Sequence, residues 1–194
     1  MKLAIKNNPW NVSRGFPGSH SVKLMHEKLL NWKINGELNV PVFDKSLRNG
    51  LGDRSHWRSD NPDLLILEGW FLGIEPLFTD ISNLPVQSSQ YSSQESIYRY
   101  KIQRNLFKYL EVWNLIDTIW HFKPLKFEFM NIWKSHQEKE MFLLKGNALQ
   151  DEKLSNFLRM LNVSIPHKSF DEINSYALLL IDQERNLVES GLNL

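Results

Sequence analysis

The sequence predicts an α/β fold built on a parallel sheet covered on both faces. Three observations carry that reading. Short β-rich apolar runs recur along the chain: NVPVF (Asn39 to Phe43), LLIL (Leu64 to Leu67), LIDTIWHF (Leu115 to Phe122) and YALLLID (Tyr176 to Asp182). Stretches with helical apolar spacing lie before and between them, and the order strand, strand, helix, strand, helices, strand is that of a sheet with helical crossovers. Finally, several runs break abruptly into charge or glycine, as strands do where they leave a sheet.

Taken in order, NVSRGFPGSH (Asn11 to His20) reads as a loop from its Gly and Pro content. A helix begins near Ser19 to Ser21; Leu24, Met25, Lys28, Leu29 and Trp32 give it helical spacing, and Asn35-Gly36 ends it. NVPVF and LLIL follow as two buried, parallel strands, ended by Asp44 and by Glu68-Gly69. QSSQYSSQES (Gln87 to Ser96) is the one biased segment and reads as a loop. Ile97 to Trp113 is an amphipathic helix with Ile102, Leu106, Tyr109, Leu110 and Trp113 on its apolar stripe. Two further helices, about Phe127 to Leu144 and Asp151 to Leu161, join at Lys145-Gly146-Asn147 before the last strand. Most of the aromatic residues are expected in the core.

A chain of 194 residues suits one domain with a continuous core. Its 23 Lys plus Arg against 22 Asp plus Glu leave a net charge of +1, which gives no electrostatic reason for a nucleic-acid or membrane partner. The absence of cysteine excludes disulfides, thiol nucleophiles and cysteine-held metals, and the N-terminal MKLAIKNNPW lacks the features of a signal peptide. These points predict a soluble cytoplasmic protein. His26, His56, His121, His136 and His167 show no metal-ligand spacing and read as ordinary polar or packing residues.

Chemistry is concentrated at the strand ends. In open α/β sheets ligands gather outside the carboxyl ends of the strands, so Asp44 and Glu68 would face one crevice if their strands are neighbours. Carboxylates there suit Mg²⁺, which takes oxygen ligands and keeps part of its water shell. Taken alone, an apolar run ending in Glu-Gly is more often a plain strand exit. Lys45, Arg48, Arg54 and Arg58 lie close after Asp44, with Gly50 and Gly52 among them, and can turn donors onto an anion. A solvated charged loop is the competing reading. Arg14, Ser19 and His20 offer another anion contact just ahead of a helix N-terminus.

The blocks RGFPGSH (Arg14 to His20), VPVFDKSLRNGLGDR (Val40 to Arg54), DLLILEGWFLG (Asp63 to Gly73) and NLFKYLEVWNLID (Asn105 to Asp117) resemble consecutive blocks of the D-glycerate 3-kinases, ATP-dependent enzymes of the P-loop kinase superfamily related to uridine kinase and phosphoribulokinase. IWKSHQEKE (Ile132 to Glu140), GNALQDE (Gly146 to Glu152) and LLLIDQERN (Leu178 to Asn186) resemble the family's lid helix, the segment after it, and its last strand with the following loop. The resemblance implies one incomplete kinase-like α/β domain over residues 1–194, with a helical lid at about 125–165. It implies transfer of the ATP γ-phosphoryl group to the 3-hydroxyl of D-glycerate, with Mg²⁺, a step of photorespiratory salvage in photosynthetic organisms. Glu68 would then stand near Mg²⁺, Asp44 and Lys45 would face substrate and phosphate, and Arg14, His20 and Arg54 would hold the glycerate carboxylate or a phosphate. Lys134, in place of the usual lid arginine, and Arg185 would belong to the nucleotide side.

Such kinases open with a strand, a GxxxxGK[ST] loop, a helix and a second strand ending in an acidic pair. The dipeptide Gly-Lys occurs nowhere in the 194 residues. The expectation is therefore a P-loop NTPase-like kinase fold truncated at its N-terminus, inactive alone and dependent on a separate P-loop-bearing segment. Two other readings stand beside it: a noncatalytic regulatory or binding module derived from the kinase, and a decaying fragment with no biochemical role.

Overall fold

The computed structural model describes residues 8–48, 51–77, 90–146 and 148–192. Helix α1 (Val22–Asn35) leads into strand β1 (Leu38–Asp44) and strand β2 (Asp53–Asp60). An extended stretch follows, and then α2 (Ser93–Leu106), a 3₁₀ turn (Phe107–Tyr109) and the short α3 (Leu110–Trp113). Strand β3 (Trp120–Pro124), helices α4 (Phe129–Lys145), α5 (Asp151–Ser164) and α6 (Lys168–Asp171), and strands β4 (Ala177–Ile181) and β5 (Leu187–Leu192) complete it.

Local sequence explains the helix ends. Gly36 and Gly146 take left-handed conformations and return their N–H groups to Trp32 and Phe142, closing α1 and α4. Helix α2 starts earlier than its apolar stripe: Ser92 caps it and Glu95 bonds back to the Ser92 amide, a complete capping box. The expected loop Gln87 to Ser96 is thus helical from Ser93 on, and its residues 87–89 lie outside the described ones.

The sheet differs from the all-parallel expectation. Strands β3 and β4 are parallel, pairing Trp120 with Ala177 through Pro124 with Ile181, while β5 runs antiparallel along β4. Strand β5 had no sequence expectation, because LVESGL carries no apolar alternation. Strand β1 pairs not with LLIL but antiparallel with β2, as a separate two-stranded ribbon. Nor are the two runs buried: Leu64 and Ile66 are each 75 % exposed, and Leu64 to Leu67 joins no ladder among the described residues. Buried strand character needs neighbours on both sides, and residue type alone does not supply them.

The core forms where the N-terminal loop meets α2 and α5. Trp10, Val12 and Phe16 pack with Ile74, Tyr98, Ile102 and Leu106, and with Met160, Val163 and Ile165. The indole N–H of Trp10 donates to Glu95 Oε1 at 2.9 Å, and Arg159 Nε bonds the same oxygen at 2.8 Å. The loop is therefore a structural part of the core. The expected aromatic filling holds only in part, since Trp57, Trp70 and Trp120 are 50 %, 43 % and 60 % exposed. No helix among the described residues is long and apolar enough to cross a membrane.

Candidate functional site

The β1–β2 ribbon brings Asp44, Lys45 and Arg54 to one end. Asp44 lies opposite Asp53 and Phe43 opposite Arg54 in the register, so the charges gather where the ribbon turns. Asp44 Oδ1 accepts the Ser46 hydroxyl at 2.6 Å and the Ser46 amide at 2.8 Å. These bonds, the hydroxyl first, hold its pKa below the ordinary carboxylate value, so Asp44 is anionic. Arg48 Nε neutralises Asp53 at 2.5 Å. Gly52 closes the turn at φ +77°, where a Cβ would meet the Phe43 ring at 2.4 Å, which is why the charged loop needs this glycine.

A second arm is the Gly15 to His20 loop. Arg14 reaches across to the ribbon and donates to the Leu51 carbonyl at 3.0 Å. Ser19 holds the loop from inside, its hydroxyl accepting from the Gly15 amide at 3.1 Å and donating to the Phe16 carbonyl at 2.7 Å. Gly18 sits at φ +100° against Asn105. His20 packs against Phe71, and that burial lowers its pKa and favours a neutral ring. The structure thus joins the two blocks carrying Arg14, His20, Asp44, Lys45 and Arg54.

Lys134 and Arg185 form another group. The Lys134 ammonium pairs with buried Glu138 one turn on and bonds Gln137 Oε1 at 2.9 Å. Arg185 donates to the Trp133 carbonyl at 3.3 Å and lies over the Trp133 ring. Both cations therefore have protein partners. Glu68 is exposed at the end of the unpaired apolar run, and the ladder expected to align it with Asp44 is not formed. A lone exposed carboxylate fits Mg²⁺ where phosphates and water supply the remaining ligands. Among the described residues no group of three or more His, Asp or Glu could hold a metal by itself.

Phe157 of α5 links these groups, and sequence reasoning missed it. Gly15 packs on its ring, Trp70 meets it edge to face at 6.3 Å, and the Lys134 ammonium lies 5.0 Å from its centroid. Its position in α5 gave no sign of this, because a phenylalanine at helical spacing looks the same whether it fills a core or ties loops together. Beside it a cavity of about 20 Å³ is lined by Gly15, Trp70, Phe71, Met130, Met160 and Phe170. That space is of the order of one water and takes no substrate.

No protein-family model matches the chain. It is 28 % identical over 161 residues to an uncharacterized kinase of Schizosaccharomyces pombe, covering 78 % of this chain and 57 % of that protein. It is 30 % identical over 172 residues to a protein named as a probable ATP-dependent kinase of Saccharomyces cerevisiae, covering 79 % of this chain and 54 % of that one. The chain thus spans about half the length of these curated relatives. Among solved structures, D-glycerate 3-kinase from Cryptococcus neoformans superposes with a TM-score of 0.78 at 25 % identity, over 96 % of this chain and 71 % of that one. Sequence and fold agree: over about half their length the chain is homologous to kinases that include D-glycerate 3-kinase.

Proposed function

We propose that this chain is the acceptor-side portion of a glycerate kinase, which moves the ATP γ-phosphoryl group to the 3-hydroxyl of D-glycerate once a P-loop-bearing segment is present. The observation that carries this reading is the Arg14 to Leu51 hydrogen bond, which joins the His20 loop to the charged end of the ribbon. Arg14, His20, Lys45 and Arg54, carried on these two joined segments, are the kinds of donor that a small carboxylate needs. The relatives named as an ATP-dependent kinase and as a D-glycerate 3-kinase support the same chemistry.

In this reading Glu68 would hold Mg²⁺ together with the ATP phosphates, and the bound ion would supply positive charge beside the transferred group. Asp44 and Lys45 stand at the acceptor, where Lys45 stabilises the phosphoryl oxygens. The backbone amides and lysine that cradle the phosphates come from the P-loop-bearing segment. The exposed apolar run Leu64 to Leu67, which ends in Glu68, supports the need for that segment, since such a run is ordinarily covered.

Isothermal titration calorimetry with D-glycerate tests the acceptor side, and production of 3-phosphoglycerate after adding a P-loop-bearing segment tests the complete reaction. Absence of glycerate binding would remove the reading. A second reading, a noncatalytic binding module, is favoured by the Lys134–Glu138 pair, which neutralises the expected phosphate-facing cation. It predicts glycerate binding without phosphoryl transfer even when the P-loop-bearing segment is supplied.

A further inference from the structure

The apolar stripe of α2 continues to Tyr109, a residue whose spacing suggests packing alone. The structure gives it more to do. Its ring is almost fully buried at 1 % exposure, edge-on to Phe71 at 5.6 Å and tilted against Trp113 at 5.5 Å. Its hydroxyl oxygen accepts the Gly18 amide at 3.1 Å and lies 3.2 Å from His20 Nδ1. The His20 backbone amide is directed at the same oxygen.

Hydrogen counting fixes the arrangement. The phenol has one hydrogen, and burial raises its pKa, so that hydrogen stays in place. With the Gly18 and His20 amides directed at the oxygen, the phenol hydrogen has one acceptor within reach among the described residues, His20 Nδ1. If Nδ1 carried a hydrogen instead, amide and imidazole would both donate to the phenol and its own hydrogen would be buried without a partner, a costly state. Nδ1 is therefore the acceptor, and the neutral ring carries its hydrogen on Nε2. The His20 ring is partly desolvated where Phe71 packs beside it at 5.6 Å, while the residue as a whole keeps surface open to solvent.

We infer that Tyr109 is a positioning residue, whose buried hydroxyl sets the His20 tautomer and the Gly18 turn so that Nε2–H is presented to an oxygen of the anionic acceptor. This rests on the acceptor-side reading of the Arg14 to His20 loop. Tyr109 reaches substrate only through His20, and its effect is one of tautomer and orientation.

The test uses the full chain with ¹⁵N-labelled histidine, in mildly alkaline buffer where imidazoles are neutral. Long-range ¹H–¹⁵N correlation spectra should show His20 as the Nε2–H tautomer, and Tyr109→Phe should give a mixture of tautomers. Calorimetry with D-glycerate should show affinity falling roughly tenfold in Tyr109→Phe, the worth of about one hydrogen bond. An Nδ1–H tautomer in the wild-type chain overturns the inference even if the variant does not fold, as does an unchanged tautomer in a folded variant. A wild-type Nε2–H tautomer with no glycerate binding instead overturns the glycerate reading and leaves Tyr109 as the residue that sets His20.

Discussion

Lys134 holds its ammonium 5.0 Å from the centre of the Phe157 ring. Trp70 and Gly15 meet the same ring, so three chain segments distant in sequence depend on one half-buried side chain. Replacing Phe157 by Ala removes those contacts together. The expected cost is about 2–3 kcal/mol, the lower part of the range for such truncations because the ring is not fully enclosed. Urea unfolding of the two proteins measures it, and equal midpoints would mean that Phe157 does not tie the segments together.

Glu95 makes stability depend on acid. Burial raises its pKa, but the hydrogen bonds from Arg159, the Ser92 amide and the Trp10 indole, with the Arg159 charge, outweigh that and bring it from 4.5 to about 2. Because the folded value is the lower one, the contribution is fully present above about pH 4.5 and is lost as pH falls toward 2. Its size is about 2 kcal/mol, reduced from full linkage because Arg159 is half exposed and screened. Unfolding measured across this window should show a flatter acid limb for Glu95→Gln. A limb of unchanged slope would place the acid sensitivity elsewhere.

How far the sequence was legible depends on whether a feature is local. The end of α1 at Gly36 and the join at Gly146 are readable, because a left-handed cap is a property of a few residues. The capping box of Ser92 and Glu95 is equally local, yet the surrounding serines and glutamines hide it behind a loop-like composition. Strand β2, DRSHWRSD, is not readable as a strand, since its exposed side chains leave no apolar alternation. Among site residues, the charges on the ribbon follow from sequence, whereas the Tyr109 bond to His20 spans 89 positions and needs the fold.

The exposed apolar run has a direct consequence. Leu64 and Ile66, each 75 % exposed, give the isolated chain a sticky extended segment. Ile66→Lys should raise the soluble yield of the chain while changing stability by no more than about 0.5 kcal/mol, as for a surface site. Light scattering and thermal melts together check this, and a large loss of melting temperature would show that Ile66 is packed in solution.

If Glu68 holds Mg²⁺ as proposed, Glu68→Gln should lower the turnover of the complete kinase by at least ~10²-fold with a modest loss of ATP affinity. Lys45→Ala should raise the requirement for glycerate or slow transfer. Steady-state kinetics with each substrate varied distinguishes the two. Unchanged turnover in Glu68→Gln would leave it as an ordinary exposed carboxylate, and an ATP-only effect of Lys45→Ala would move that residue to the nucleotide side.

The ribbon of β1 and β2 stands apart from the three-stranded sheet, and its outer residues contribute little to the core. Two strands by themselves are marginal, so their amides should exchange with solvent through small local openings well below the free energy of global unfolding. The same separation frees the charged end of the ribbon in evolution. Substitutions around Asp44, Lys45 and Arg54 leave the packing of Trp10, Phe16 and Ile102 undisturbed, so that, if the ribbon end is the acceptor site proposed above, substrate preference can drift while the scaffold stays constant.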